Sequence, residues 1–241
     1  MESKKEQTNT KSSRLRIVYE DKDITIISKP SGMLTCPYPG GPKNTAVDIL
    51  LAMRKKRGLV HKSTGVFVVH RLDRDTSGLL IFAHTKMVAE KLMNNWHKNA
   101  KLRLYRALVE SNPSIENIEK EGIIDAPLTQ NAYKQSYVAK ASQQKNKNAK
   151  LEVARTKYRI IKTGKRYALF ELELDTGKKN QIRAHLSFLG FPIAGDTNYR
   201  AKTNPFNRLC LHAALLVLIH PVTNELLRFE DSENPEWLKK V

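Results

Sequence analysis

At 241 residues and 40% hydrophobic content, the chain can bury a substantial core. Its 42 Lys and Arg face 24 Asp and Glu, a net charge of +18, so a polyanionic partner is expected and nucleic acid leads. No apolar run approaches the roughly 20 residues that cross a bilayer, the polar start Met1–Lys11 does not read as a signal peptide, and Cys36 and Cys210 make neither a disulfide framework nor a zinc spacing.

In chain order, residues 1–13 read as a disordered polar tail. Arg14–Glu20 and Ile24–Ser28 are predicted strands around the turn Asp21-Lys22-Asp23. Pro30, Gly32 and the run Pro37–Pro42 break that pattern into a loop. Thr45 is placed to cap a helix running to about Lys56, with Val47, Leu50, Leu51 and Met53 inward and the run Arg54–Arg57 solvated at its C-terminal pole. Gly65–Val69 and Leu79–Ala83 read as short buried strands bracketing the polar block His70–Gly78.

Thr85 is placed to cap a second helix whose inner face is Val88, Leu92 and Trp96. Arg103–Glu110 reads as a strand, and Lys140–Lys150, which lacks large apolar residues, as a mobile basic loop. Two strands flank the turn Thr163-Gly164-Lys165. Gln181–Leu189 reads as a short helix closed by Gly190, and Leu209–Ile219 as a buried strand or pair of strands. Many strands, few helices and long loops make the expected fold class α+β.

The block His70-Arg71-Leu72-Asp73-Arg74-Asp75-Thr76-Ser77-Gly78 puts a carboxylate and a guanidinium on a loop held by two strands, where functional groups concentrate. A plain solvated turn is the competing reading. Its wording, His-Arg-Leu-Asp-x-x-Thr-Ser-Gly, resembles the signature of the RluA-type pseudouridine synthases. Three further stretches resemble that family in the expected order. They are Leu104-Tyr105-Arg106-Ala107-Leu108-Val109, the block Asp175–His185 with its trailing Gly190–Asp196, and Leu211-His212-Ala213. The resemblance runs from about Ile17 to Phe229.

The resemblance implies a pseudouridine synthase-like core: a mixed, mostly antiparallel curved sheet flanked by helices and long loops. Residues 14–241 would be the catalytic domain, without an N-terminal RNA-binding domain before it. It further implies Asp73 as nucleophile, Tyr105 as the ring that stacks on the target base, Arg183 as the partner of Asp73, and Leu211 as a wall of the base pocket. Arg71 would fill the stack vacated by a flipped base. Lys178, Lys179 and Asn180 are expected at the RNA, with Lys178 and Asn180 standing where the family has arginine and histidine. Lysine keeps the charge there but loses the planar fork. Turning uridine into pseudouridine involves neither redox change nor phosphoryl transfer, so no cofactor and no metal are expected. RNA, ribosomal or transfer, is the expected partner of a cytoplasmic monomer with no membrane contact.

From the residues alone Asp75 competes with Asp73, and only the family register separates them. His61, His84 and His97 are expected at the surface, His70, His185 and His212 in structural hydrogen bonds, and His220 at a strand end. Two rival functions remain: an RNA-binding or remodelling protein without catalysis, and an RNA hydrolase built on Asp73, Asp75 and nearby histidines.

Overall fold

In the computed structural model, which describes residues 15–144, 150–232 and 235–241, the short apolar runs become twelve strands. These are β1 (Arg16–Glu20), β2 (Ile24–Lys29), β3 (Phe67–Val68), β4 (Ser77–Ala83), β5 (Ala100–Glu110), β6 (Glu121–Asp125), β7 (Leu128–Gln130), β8 (Ser136–Val138), β9 (Arg155–Thr163), β10 (Tyr167–Leu174), β11 (Leu211–Ile219) and β12 (Leu226–Glu230). Among the described residues ten of them form one sheet in the order β1-β2-β4-β11-β5-β10-β9-β6, with β3 on β4 and β12 on β11, while β7 and β8 form a separate hairpin. Every pairing in the large sheet is antiparallel except β4 with β11, where His212 faces Ser77 and Ala213 faces Gly78. The α+β architecture expected from the sequence is the one observed.

All seven residues of β4 are buried. Leu80 and Phe82 join one core with Leu50, Tyr105, Phe170 and Ile182, and Leu79 and Ile81 join a second core with Val88, Leu92 and Leu216. A strand covered on both faces has no polar side to alternate with, hence its unbroken apolar run. The predicted strand Gly65–Val69 shortens to β3 because it pairs only with the far end of β4, Phe67 with Ala83 and Val68 with Phe82. Beyond Val68 the chain leaves the sheet and enters the polar block.

The helices are α1 (Ala46–Lys56), α2 (Lys86–Asn94), α3 (Trp96–Asn99), α4 (Ala141–Gln144) and α5 (Gln181–Phe188). Thr45 and Asp48 cap α1 reciprocally, and the Thr85 hydroxyl accepts from Val88 N at 3.2 Å to start α2. Asn95 departs from helical geometry, so Trp96 opens α3 instead of extending α2. The expected basic loop contains the single turn α4, and residues 145–149 and the expected tail 1–13 lie outside the described residues. Among the described residues no helix is long and apolar enough to cross a membrane.

Two expectations at the end of α1 are corrected. Met53 is exposed, while Arg54, expected in solvent, is 4% exposed. Position 54 continues the inward stripe Ala46, Leu50, Arg54 at four-residue spacing. The Arg54 guanidinium donates to Glu20 and, at 2.8 Å, to His84 Nε2. His84 is therefore buried, not a surface residue. Because arginine only donates, His84 Nε2 accepts and its Nδ1–H is left to donate to Lys22 O at 3.0 Å.

Candidate active site

The polar block becomes a loop fastened from beneath. Lys29 is fully buried, and its Nζ donates to the carbonyls of Pro30, Met33 and, across to the loop, Arg74 at 3.0 Å. Burial lowers its pKa to about 7, against the pull of Asp75 and then Asp73. Thr35 Oγ1 donates to Leu72 O at 2.9 Å, and Ser31 Oγ donates to Asp75 O at 2.6 Å. The loop ends on Gly78, whose φ is +109°; an added Cβ there would meet Ala213 O at 2.2 Å. Only glycine allows this approach, which is how the loop enters the parallel junction with β11.

That anchoring separates the two carboxylates. Asp75 is paired with Arg74 at 3.0 Å and does not line the cavity above the loop. Asp73 lines that cavity, of about 460 Å³, together with Arg71, Tyr105, Lys178, Asn180, Arg183 and Leu211. Six of the eight residues named from the sequence thus line one cavity with Asp73. Lys179, the eighth, stays exposed outside it, with its Nζ donating to Lys134 O at 2.8 Å.

Arg183 binds in two directions. Its Nε and Nη2 donate to the two oxygens of Asp196 at 2.7 Å each, and its Nη1 stands 3.5 Å from Asp73 Oδ2. Its guanidinium also lies over the Tyr199 ring, 4.7 Å from the centroid. Burial works against the charge, but Asp196 and then Asp73 outweigh it, so the pKa is raised. Asn180, expected at the RNA, donates from Nδ2 to Asp73 Oδ2 at 2.5 Å. Its backbone is left-handed, with φ 54°. Lys178 Nζ lies 3.5 Å from Glu152. The Arg71 guanidinium is exposed and makes no hydrogen bond among the described residues.

Tyr105 is 8% exposed, with its pKa raised chiefly by burial, and Leu211 sits on the neighbouring strand. The result is a carboxylate next to a buried aromatic ring, with two donors gathered on the carboxylate. The profile of the RNA pseudouridylate synthase family matches residues 23–188, which include that loop, Tyr105 and all of α5. The chain belongs to this family.

The synthase is thus an isomerase acting on RNA. It is 35% identical over 217 residues to the uncharacterized RNA pseudouridine synthase YlyB of Bacillus subtilis, covering 90% of this chain and 68% of that one. It is also 35% identical over 234 residues to ribosomal large subunit pseudouridine synthase D of Zymomonas mobilis, covering 92% and 70%. The solved structure of human RNA Pseudouridylate Synthase Domain Containing 4 superposes with a TM-score of 0.71 over 92% of this chain and 90% of its own. At 23% identity that likeness shows the shared fold.

Two site residues passed unassigned at the sequence level. Asp196 anchors Arg183, and Gln181 ties the turn before α5 to β9. The Gln181 carbonyl oxygen accepts from Thr176 Oγ1 and Lys178 N, while its amide donates to Arg155 O and Thr156 Oγ1. Four residues on, His185 continues that face. Its Nε2 meets Ala126 O at 3.0 Å, so Nδ1 accepts from Thr156 Oγ1 at 2.9 Å. The helix therefore shows Gln181 and His185 to the sheet and Arg183 to the loop. A signal existed in that i, i+4 spacing of polar residues.

The histidines expected in structural roles hold them. His70 stacks on Trp96 at 4.6 Å, and His212 Nδ1 lies 2.8 Å from Ser77 Oγ. His61 and His97 are exposed as expected. His220, just past β11, stands with Asp21 and Asp23 in an arrangement of metal-ligand size. Its Nδ1 accepts from Val222 N and Thr223 N, so Nε2 bears the hydrogen, 3.1 Å from Asp21 Oδ2, and the group is a turn lock.

Burial pushes His70 down to about 3, helped by Arg103, and also lowers His84 and His185. Below about pH 6.5 the unfolded rings take up protons that the native rings refuse, so stability rises with pH in that range. At pH 5 the expected loss from His70 is about 2 kcal/mol. The urea midpoint should fall between pH 7 and pH 5, and less so in His70→Gln. A midpoint equal at both pH values contradicts these neutral rings.

Proposed function

We propose that the synthase isomerises uridine to pseudouridine in large-subunit ribosomal RNA, with Asp73 as nucleophile toward a flipped-out base. The observation that carries this reading is the position of Asp73, between Arg183 and Asn180 and in the same cavity as Tyr105. In the reaction the N1–C1′ bond opens, the uracil turns within the cavity, and a C5–C1′ bond forms. The proton at C5 leaves to water and N1 gains one, so the product is an isomer of the substrate.

Asp73 acts on the nucleoside as an ionised carboxylate, the state a nucleophile requires, and Arg183 supplies the facing charge. Tyr105 gives the detached ring a flat face and Leu211 a wall. Flipping costs a few kcal/mol, and the exposed guanidinium of Arg71 fills the vacated stack to offset it. Lys178 and Lys179 contact phosphate, which makes affinity salt-dependent. Ribosomal RNA is favoured over transfer RNA by the likeness to relatives such as the ribosomal large subunit pseudouridine synthase D of Zymomonas mobilis.

Mapping pseudouridines in cells that lack this protein tests the substrate. One or more large-subunit positions should lose the modification and regain it with the wild-type gene. Loss confined to transfer RNA refutes the ribosomal assignment.

A further inference from the structure

We infer that Asn180 is a positioning residue of the reaction, which pins Oδ2 of Asp73 and leaves Oδ1 as the oxygen that meets the uridine. The inference rests on the reading of Asp73 as nucleophile. The contact is direct, Nδ2 to Oδ2 at 2.5 Å. An ionised carboxylate only accepts, so the amide must face it through its N–H group.

The local backbone shows what this contact displaces. Asn180 occupies the N-cap position of α5, where an asparagine side chain ordinarily accepts a helix N–H. Here it makes no cap hydrogen bond, and its φ of 54° lies in the left-handed region. The turn before α5 is supported by Gln181 instead, whose Oε1 accepts from Lys178 N at 3.0 Å. The side chain of Asn180 is thus released from helix capping and directed at Asp73.

Arg183 Nη1 approaches the same oxygen, Oδ2, at 3.5 Å. Among the described residues no donor reaches Oδ1. One hydrogen bond and one cation on the same oxygen favour a single carboxylate orientation, with the other oxygen left open to the cavity. The amide does not titrate, so its hold is constant across the working pH range.

Asn180→Gly removes the side chain without strain, because glycine adopts φ near 54° freely. Turnover should be measured with RNA labelled by tritium at uracil C5, beside thermal melting and RNA affinity. The expected result is a kcat lower by about tenfold to a hundredfold, the effect of losing one hydrogen bond to a charged group. KM and RNA affinity should stay within about twofold. Asn180→His, which restores a donor on a backbone conformation histidine tolerates, should recover most of the turnover. A raised KM with unchanged kcat makes Asn180 an RNA contact and overturns the inference, as does failure of Asn180→His to recover any turnover. Asp73→Ala separates the two layers. If it retains turnover, the nucleophile reading falls and this inference with it; if it is inactive while Asn180→Gly matches wild type, only this inference falls.

Discussion

Arg183→Leu is expected to abolish turnover and to destabilise the fold by about 3 kcal/mol or more. Asp196 is 3% exposed, and both of its oxygens are held by Arg183 at 2.7 Å. Removing the guanidinium leaves a buried, unpaired carboxylate, which costs far more than the pair itself contributes. The same substitution removes the cation 3.5 Å from Asp73 and uncovers the Tyr199 ring. Arginine suits this position because its planar fork offers donors on two edges at once, where lysine offers a single point.

Stability and activity can be separated at this site. Replacing both members, Arg183→Leu with Asp196→Leu, removes the stranded charge and should recover much of the lost stability in urea unfolding. Turnover should remain absent, because Asp73 still lacks its cation. Recovery of turnover in the double variant, or a cost below about 1 kcal/mol in the single one, contradicts the two-sided role of Arg183.

Where the sequence spelled out local chemistry, it was readable. Thr45 and Thr85 mark their helix starts because capping needs only neighbours in the chain. The strands β2 and β11 were visible from β-branched and leucine-rich runs. Arg54 and His84 were misplaced because periodicity treats arginine and histidine as polar. Their burial depends on Glu20, more than thirty residues away from either in the chain. The choice between Asp73 and Asp75 was invisible for a related reason. The two lie on one irregular loop, and what turns Asp75 away is Ser31 holding its carbonyl and Arg74 holding its carboxylate. Asn180 was legible as a departure from a motif but not as a contact of Asp73. That contact joins residues 107 apart in the chain and is made from a left-handed backbone position, neither of which composition and spacing encode.

Asp73→Ala has the largest effect expected on chemistry, a loss of about a thousandfold or more in turnover. The side chain is 28% exposed and makes no backbone hydrogen bond among the described residues, so its removal leaves the loop anchors at Lys29, Ser31 and Thr35 intact. RNA affinity should change little, since phosphate contacts by basic residues dominate binding. The decisive measurement is tritium release from RNA labelled at uracil C5, with wild type and Asp73→Ala compared at saturating RNA. Release by the wild type with none above background from Asp73→Ala, at equal RNA affinity, is the expected result; equal release by the two proteins contradicts Asp73 as the nucleophile.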